Sequence, residues 1–342
     1  MNSEVIKFVA GGGKTTLSEK ILKEQGNGLY LAFTNSVVEE ISNKGYLSRT
    51  IDSLFTSFII PKFTSLIPII ASGSKIKYID SNTLPDHLKG IANIKIDKDG
   101  NIYNRTKKLD IDININNSNL HNMTSKNNIG FLKYIFSEDE LRLTHEFRSN
   151  LSEYLINNYS FQIVELLSKR FDFIIIDEAQ DLKNYREKFA EALYNSKVKL
   201  IVLGDDNQNI NGGGNWFESL TPTDTKNESF RCTENNCKWI RDNLNIDIYG
   251  NSNISEFREI PFDEAIKYDD GIKTLLYSVN SGKNKVIIDN WKGPKDTIKS
   301  AKGSTIYNDI VIIGSTIGRK NYYTAITRTT KSVYSTITKI KQ

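Results

Sequence analysis

The segment Ala10-Gly11-Gly12-Gly13-Lys14-Thr15-Thr16 decides the fold class of this chain. It follows an apolar, β-branched run at residues 5–9 and precedes a helix-like run at residues 17–23. Glycines in such a turn let backbone N–H groups curl round an anion, and the N-terminus of the next helix adds partial positive charge. The pattern predicts a phosphate-binding loop in which all three glycines, Lys14, Thr15 and Thr16 contact a nucleotide.

Two side chains of this loop are expected to carry its chemistry. Lys14 is placed to reach the β- and γ-phosphates, and Thr15 to ligate a magnesium ion. The full spacing of a phosphate loop would put another glycine where Phe8 stands, so the match is incomplete. A glycine turn with a surface lysine therefore stays open as the alternative.

A pair of adjacent carboxylates follows a second apolar run. Residues 171–176 lead directly into Asp177 and Glu178. Adjacent carboxylates at the end of a strand are costly unless a cation meets them. Asp177 is therefore predicted to hold magnesium, and Glu178 to orient and deprotonate an attacking water. A helix N-cap with acidic residues in the first turn is the alternative.

The other apolar runs predict an α/β protein. Residues 29–33 and 200–203 are further candidates for central strands of a parallel sheet, and residues 37–43 for a helix. Residues 72–128 change to short alternating strands, including 91–96 and 101–104, and an Asn-rich tract, which predicts a small β-rich insertion. A second α/β unit is predicted after Thr225. Its candidate strands are residues 274–278, 285–288, 310–313 and 332–336.

Composition indicates a globular protein with a basic end. The chain has 342 residues, 38% of them hydrophobic and 25% charged, which is enough for two domains. The formal net charge is only +4, but residues 283–342 hold 12 Lys and Arg against 3 Asp and Glu. This end is either a phosphate-facing surface or a merely solvated one. The most apolar stretch, residues 54–71, contains two prolines and a lysine and predicts a buried helical hairpin rather than a membrane span.

The cysteines predict neither a metal site nor an oxidising compartment. Cys232 and Cys237 have no nearby His or Cys to complete a zinc site. Two thiols and the lack of a secretory leader favour a reducing interior. We expect a cytoplasmic protein without a membrane partner.

Asp177-Glu178-Ala179-Gln180-Asp181 resembles the second motif of UvrD/Rep-like superfamily 1 DNA helicases. Other segments resemble further motifs of that family, in the family's order, between residue 5 and about residue 336. These segments are Phe33-Thr34-Asn35, Thr50-Ile51-Asp52-Ser53-Leu54-Phe55, Gly204-Asp205-Asp206-Asn207-Gln208, Phe230-Arg231, Lys302-Gly303-Ser304-Thr305 and Tyr323-Thr324-Ala325-Ile326-Thr327-Arg328. Asp52 stands where the family usually has a histidine.

The resemblance implies an α/β protein with two RecA-like parallel-sheet domains and a small β-rich insertion in the first. Residues 1–71 and 129–224 would form the first, ATP-binding domain, 72–128 the insertion, and 225–342 the second domain. ATP and Mg²⁺ would be the cofactors. Single-stranded DNA would be the partner, although backbone contacts alone leave RNA open.

The resemblance also implies roles for individual residues. Gln208 would sense the γ-phosphate, and Arg231 and Arg328 would stabilise the charge that builds on it, although either arginine could instead form a surface ion pair. Gly303 would join the nucleotide site. The residues expected to contact nucleic acid are Phe33, Thr34, Asn35, Ser53, Trp216 and Thr305. Phe33 could equally belong to the core.

Several departures from the family pattern suggest a compact motor. The glutamine motif that reads adenine has no room before Val5, so we expect loose nucleotide selectivity. Asn211-Gly212-Gly213-Gly214 replaces the aromatic residues expected after the third motif, and about 70 residues separate Arg231 from Lys302, too few for the family's large second-domain insertion. Motif V resembles that of compact phage and viral enzymes, which weakens the transfer of 3′→5′ polarity from UvrD/Rep-like relatives.

Two functions are consistent with this sequence. The first is an ATP-dependent helicase or translocase on single-stranded DNA. The alternative is a regulatory NTPase subunit whose nucleotide state controls a partner nuclease, for example in a phage-defence system.

Overall fold

The computed structural model describes residues 3–67, 69–70, 74–84, 94–104, 113–116, 129–137 and 139–341. Its strands are β1 Ser3–Phe8, β2 Gly28–Ala32, β3 Ser48–Thr50, β4 Lys75–Tyr78, β5 Ile94–Ile96, β6 Asn101–Asn104, β7 Ile113–Asn114, β8 Glu140–Leu143, β9 Phe173–Ile176, β10 Lys199–Gly204, β11 Asp224–Lys226, β12 Glu228–Thr233, β13 Tyr249–Asn251, β14 Phe257–Glu259, β15 Thr274–Tyr277, β16 Lys295–Thr297, β17 Ile310–Ile313, β18 Thr316–Gly318, β19 Val333–Ser335 and β20 Lys339–Lys341.

The α-helices are α1 Lys14–Gln25, α2 Asn35–Ser42, α3 Ile51–Leu54, α4 Ile60–Phe63, α5 Ile129–Ile135, α6 His145–Ser168, α7 Tyr185–Tyr194, α8 Trp216–Ser219, α9 Glu234–Leu244, α10 Gly282–Asn290 and α11 Arg319–Ile326. A π-helical turn, Phe55–Ile59, joins α3 to α4. Short 3₁₀ turns cover Thr64–Leu66, Ser81–Thr83, Ala179–Asp181, Asp206–Gln208 and Phe262–Tyr268. Within the described residues, no helix combines the length and apolar character needed to cross a bilayer.

Two larger sheets confirm the α/β class. The six-stranded sheet has the order β11-β1-β10-β9-β2-β3, and the five-stranded sheet the order β14-β19-β17-β15-β16. Neighbouring strands of the five-stranded sheet are parallel. The central strands β9, β10 and β17 consist almost entirely of buried Ile, Leu and Val, as expected for a parallel sheet covered on both faces. Smaller sheets pair β12 with β13, β18 with β20, β4 with β8, and β5, β6 and β7.

The chain divides into two compact units. The first unit contains Asn27–Ile174 and Lys183–Leu200, and the second contains Ser3–Gly26, Ile175–Leu182 and Ile201–Gln342. The phosphate-loop segment is thus grouped with the C-terminal half of the chain. The domain boundaries proposed from the sequence, at residues 71, 129 and 225, stay a prediction.

Each unit has an apolar core of its own. In the first unit, Phe55 packs edge-on against Tyr185 and Phe189, with ring centroids 5.1 and 5.3 Å apart. In the second unit, Val9 and Ala10 belong to the same buried cluster as residues of α9, β17 and α11. The start of the phosphate loop is therefore anchored in the core that holds α11.

Two predictions about local structure were wrong. Residues 285–288 lie in helix α10, because Asn284, Ile287 and Ile288 follow helical i, i+3, i+4 spacing and turn one face inward. Residues 54–71 do not form a hairpin within the part that is described: Ile51 to Leu66 is one run of helical turns. Of the predicted strand at residues 91–96, residues 91–93 lie outside the described residues.

Candidate active site

The phosphate loop connects β1 to α1 through a tight, glycine-dependent turn. Gly11 and Gly13 have φ angles of 71° and 86°, a region that side chains other than glycine rarely adopt. A Cβ atom added at Gly11 would lie 2.6 Å from the Cβ of Arg231, so this glycine also allows a close approach of β12. Gly13 is the N-cap of α1, and the loop therefore presents the positive end of that helix.

Lys14 and Glu178 form the ion pair at the centre of the site. Their Nζ and Oε1 atoms are 3.3 Å apart. Burial opposes the charge on Lys14, but the carboxylates of Glu178, Asp177 and Asp205 outweigh it and raise the lysine pKa. Burial likewise opposes the charge on Glu178, but Lys14 and Lys302 lower the glutamate pKa to about 2. Both groups are therefore ionised at neutral pH.

The residues present fit a magnesium ion. Asp177 is 3% exposed, and its Oδ1 accepts the Glu178 N–H at 2.7 Å. Asp177 follows β9 directly, and Thr15 lies in the first turn of α1. Magnesium is usually bound by one or two protein oxygens together with substrate phosphates. Asp177 and Thr15 are both oxygen donors of this kind. Among the described residues there is no cluster of three or more His, Cys, Asp or Glu that suggests another metal.

A hydrogen-bonded chain links the half-buried Glu178 carboxylate to buried residues of the segment that resembles the third motif. The Gln180 side-chain amide donates to Glu178, and its carbonyl oxygen accepts the Asp205 N–H at 3.0 Å. The Gln208 side chain in turn donates to the Asp205 carboxylate at 2.8 Å. Burial raises the pKa of Asp205, and the charge of Lys14 opposes this effect.

Arg328 extends this chain to the last motif. Its Nη2 donates to the Gln208 side-chain oxygen at 3.1 Å, and the residue is 1% exposed. Burial and the nearby Arg231 guanidinium lower the pKa of Arg328 to about 10, so the arginine remains charged at neutral pH. Arg231 donates to the Thr327 carbonyl at 3.3 Å. Both predicted arginines thus lie in the second unit, with Lys14, Glu178 and Gln208.

A cavity beside the phosphate loop is lined by aromatic residues that were not predicted as site residues. It encloses about 860 Å³ and is lined by Gly12, Gly13, Thr16, Lys20, Phe230 and Tyr249, among others. Phe230 is 72% exposed, and a Cβ atom added at Gly13 would lie 3.3 Å from its ring. An exposed aromatic ring beside a phosphate loop offers a stacking face for a nucleobase. In the sequence, the only indication of a role for Phe230 is that it directly precedes the predicted site residue Arg231.

Two further buried residues, Lys302 and Tyr323, were also missed. Lys302 lies in the segment that resembles motif V, and its ammonium group contacts the Asp181 carboxylate. Tyr323 begins the segment that resembles motif VI, and its hydroxyl contacts Asp205. Neither contact has a local signal, because each joins residues more than 100 positions apart.

The predicted nucleic-acid residues are divided between the two units. Phe33, Thr34, Asn35 and Ser53 lie in the first unit, whereas Trp216 and Thr305 lie in the second. Thr34 and Asn35 are exposed, and Phe33, Ser53, Trp216 and Thr305 are half-buried. Gly303, which was assigned to the nucleotide, lies on an exposed turn with a φ angle of 91°.

Asp52, which replaces the usual histidine, has a structural role in the first unit. Its carboxylate accepts hydrogen bonds from Arg148 Nη2 at 2.5 Å, Arg186 Nε at 2.6 Å and the Tyr185 hydroxyl at 2.6 Å. Burial opposes its charge, but Arg186, Tyr185 and Arg148 together lower the pKa of Asp52 to about 2. The Arg186 guanidinium also lies 5.7 Å from the centre of the Phe33 ring.

Comparison with known proteins identifies the family. The family model of the UvrD/REP helicase N-terminal domain matches residues 9–212. The PRRSV helicase structure aligns with 98% of this chain and 52% of its own at 12% identity and a TM-score of 0.48. The structure of arterivirus nonstructural protein 10, a helicase, aligns with 97% of this chain and 59% of its own, again at 12% identity and a TM-score of 0.48.

This chain therefore spans between half and three fifths of the length of these viral helicases. No curated protein matches it. The family match covers well over half of the 342 residues and includes the phosphate loop, Asp177, Glu178 and Gln208. The chain belongs to the UvrD/REP family of superfamily 1 helicases, whose members are NTP-hydrolysing enzymes.

Proposed function

We propose that this protein hydrolyses ATP with Mg²⁺ to move along single-stranded DNA, with 3′→5′ travel as the expectation from UvrD/Rep-like relatives. One observation carries the proposal: a continuous hydrogen-bonded chain lies next to the phosphate loop and runs from the half-buried Glu178 through the buried Gln180, Asp205, Gln208 and Arg328. Such a chain connects the residue proposed to act on water with the residues proposed to sense and stabilise the γ-phosphate.

The proposed chemistry follows from the Lys14–Glu178 ion pair. ATP phosphates on the loop would compete with Glu178 for Lys14, because the two side chains form an ion pair at 3.3 Å. Losing this partner raises the pKa of Glu178 from about 2 toward its usual range, which makes Glu178 a better base for the attacking water. A magnesium ion held by Asp177 and Thr15 would neutralise phosphate charge.

Arg328 and Gln208 would then act on the γ-phosphate. Arg328 is charged and already held by Gln208, so the two side chains are expected to move as one group. A guanidinium placed against the phosphoryl oxygens is worth roughly 10³–10⁵ in rate. Phe230 would offer its exposed face to the base of the nucleotide, and stacking of this kind discriminates weakly among bases.

The nucleic-acid part of the proposal rests on the exposed motif residues and on charge. The exposed Thr34 and Asn35 and the half-buried Thr305 offer polar groups for backbone contacts. Residues 283–342 contain 12 basic and 3 acidic residues, and most of the basic side chains, although not those of Lys302 and Arg328, are exposed. Backbone phosphates attract such a surface whatever the sequence of the strand.

The test is steady-state ATP hydrolysis with and without single-stranded DNA oligonucleotides. Lys14→Ala is the blank and should lower turnover by about 10²-fold or more, because the lysine contacts charge that develops in the transition state. Lys23→Ala, which changes an exposed lysine at the end of the same helix, is the matched control. Strong stimulation by DNA supports the proposal.

Indifference of the ATPase rate to every single-stranded DNA and RNA would contradict a nucleic-acid motor. The nuclease-partner hypothesis would then be preferred. Stimulation by RNA alone would change the partner but keep the mechanism. Unwinding of duplexes with a 3′ or a 5′ single-stranded tail would test the direction of travel.

A further inference from the structure

All the hydrogen-bonding capacity of Lys302 is used inside the protein. Its Nζ contacts Asp181 Oδ1 at 2.6 Å, Asp181 Oδ2 at 2.7 Å and the Gln208 carbonyl oxygen at 2.6 Å. The lysine side chain is 8% exposed and the aspartate side chain 4% exposed. A lysine has three donors, so none is left for a phosphate of either the nucleotide or the nucleic acid.

The two partners of Lys302 belong to the turns that carry the catalytic groups. Asp181 closes the 3₁₀ turn after Glu178, and its N–H donates to the Glu178 carbonyl at 2.9 Å. Gln208 closes the other turn, and its side chain accepts the Arg328 guanidinium. A displacement of Lys302 would therefore act on both turns together.

The two residues that follow Lys302 are exposed, although the Lys302 side chain itself points into the protein. Gly303 and Ser304 are exposed, and Thr305, which is the residue of this segment proposed to contact nucleic acid, is half-buried. This stretch is held to the last motif, because the Ile306 N–H donates to the Arg328 carbonyl at 2.8 Å and Arg328 Nη1 donates to the Ser304 carbonyl at 3.4 Å. The exposed segment is thus connected inward through the Lys302 side chain and through its hydrogen bonds to Arg328.

The Lys302–Asp181 ion pair is costly to separate because both side chains are buried. Separating Lys302 from Asp181 would leave a buried carboxylate without a counter-ion, which is strongly unfavourable. A shift of residues 303–305 should therefore be transmitted to Asp181 and Gln208 rather than absorbed by breaking the contact.

We propose that Lys302 is a positioning residue that couples nucleic-acid binding at residues 303–305 to the placement of Glu178 and Gln208. The inference rests on the proposed function, since it assigns the stimulation of hydrolysis by nucleic acid to one buried ion pair. Lys302 is not expected to contact the nucleotide or the nucleic acid.

The test compares Lys302→Met, Asp181→Asn and the double variant. The measurements are kcat and KM for ATP without and with saturating single-stranded DNA, and the Kd for a fluorescent oligonucleotide. Lys302→Met should reduce the stimulation ratio by about tenfold or more, while the KM for ATP and the Kd for DNA stay within about threefold of wild type. Lys299→Met, an exposed lysine in the same turn, is the control.

The double variant separates coupling from charge neutralisation. It leaves no buried charge unpaired, so it should fold even if Lys302→Met does not, and its thermal unfolding midpoint checks this. If Lys302 transmits the signal, the double variant remains poorly stimulated.

Recovery of wild-type stimulation in the double variant would show that Lys302 only neutralises Asp181, and would overturn the inference while leaving the proposed function intact. A loss of DNA affinity in parallel with the stimulation would make Lys302 a contact residue and would also overturn it. A wild-type protein without stimulation would overturn the proposed function, and the inference with it.

Discussion

The Tyr323 hydroxyl donates a hydrogen bond to the Asp205 carboxylate at 3.0 Å and accepts one from the Ala10 N–H at 2.9 Å. Tyr323 is fully buried in α11, the helix that ends just before Arg328. One side chain thus joins the first residue of the phosphate loop, the third motif and the helix of the predicted arginine. Its hydroxyl is expected to fix the geometry in which Arg328 meets the nucleotide.

Tyr323→Phe should lower kcat by about tenfold and the free energy of unfolding by about 1–3 kcal/mol, because a buried N–H and a buried carboxylate oxygen each lose a partner. Tyr322→Phe is the matched control, since that hydroxyl is equally buried but donates to Ser335. Its loss should cost similar stability and leave kcat unchanged. Equal kcat values for the two variants in steady-state assays would contradict the positioning role of Tyr323.

Glu178→Gln should reduce turnover by about 10²–10⁴-fold and preserve nucleotide binding. Glutamine keeps the shape of the side chain but does not accept a proton, and its neutrality frees Lys14 from the ion pair. Single-turnover hydrolysis and the affinity for a fluorescent ATP analogue measure the two effects. Glu191→Gln, at an exposed position of α7, is the control. Normal turnover in Glu178→Gln would remove Glu178 as the base.

Arg328→Ala should lower kcat far more than it weakens ATP binding, by roughly 10³-fold. Arg328→Lys should restore little, because an ammonium group does not reproduce the planar donor pair of the guanidinium. Arg258→Ala, which removes an exposed arginine of β14, controls for the loss of one positive charge. Equal losses in kcat and in ATP affinity would argue against a role in the transition state.

The sequence predicted the local parts of the site because their signals are local. The strand β1 and the glycines of the loop lie within a few residues of one another, and so do the strand β9 and the carboxylates that follow it. Residues 285–288 were assigned to a strand because valine and isoleucine favour strands, but burial of one helical face outweighs that preference. Strand propensity predicts secondary structure poorly for a segment whose packing partners lie far away in the chain.

The contacts that connect the motifs could not be predicted in this way. Lys302 and Asp181 are 121 positions apart, and Tyr323 and Asp205 are 118 apart. The sequence next to Lys302 or Tyr323 does not indicate a partner, so only the fold shows which residues face each other. The partners of Asp52 could not be predicted for the same reason, because the arginines that stabilise it come from the distant helices α6 and α7.

Phe230→Ala should raise the KM for ATP by about tenfold, because an aromatic stacking face is worth about 1–3 kcal/mol to a base. It should leave kcat at saturating ATP nearly unchanged, since the ring lies beside Gly13 rather than at the carboxylates. Phe161→Ala removes a similarly exposed ring, 75% exposed, from the first unit and serves as the control. An unchanged KM for ATP would exclude Phe230 from the base site.

Asp52→Asn should destabilise the first unit in a pH-dependent way. The folded pKa of Asp52 is lowered to about 2, below the ordinary value of 3.8, because Arg186, Tyr185 and Arg148 hold the charged form. A lowered pKa gives stability that is fully present above the ordinary pKa and is lost as the pH falls through the folded one. The lowered pKa of Asp52 corresponds to roughly 2 kcal/mol of stability at neutral pH.

The difference in unfolding free energy between wild type and Asp52→Asn should therefore be constant above about pH 5 and narrow as the pH falls toward 2. Urea unfolding across this range measures it, with Asp242→Asn, which breaks an exposed ion pair to Lys238, as the control. A difference that stays constant down to pH 2 would mean that Asp52 contributes through packing and neutral hydrogen bonds rather than through its charge.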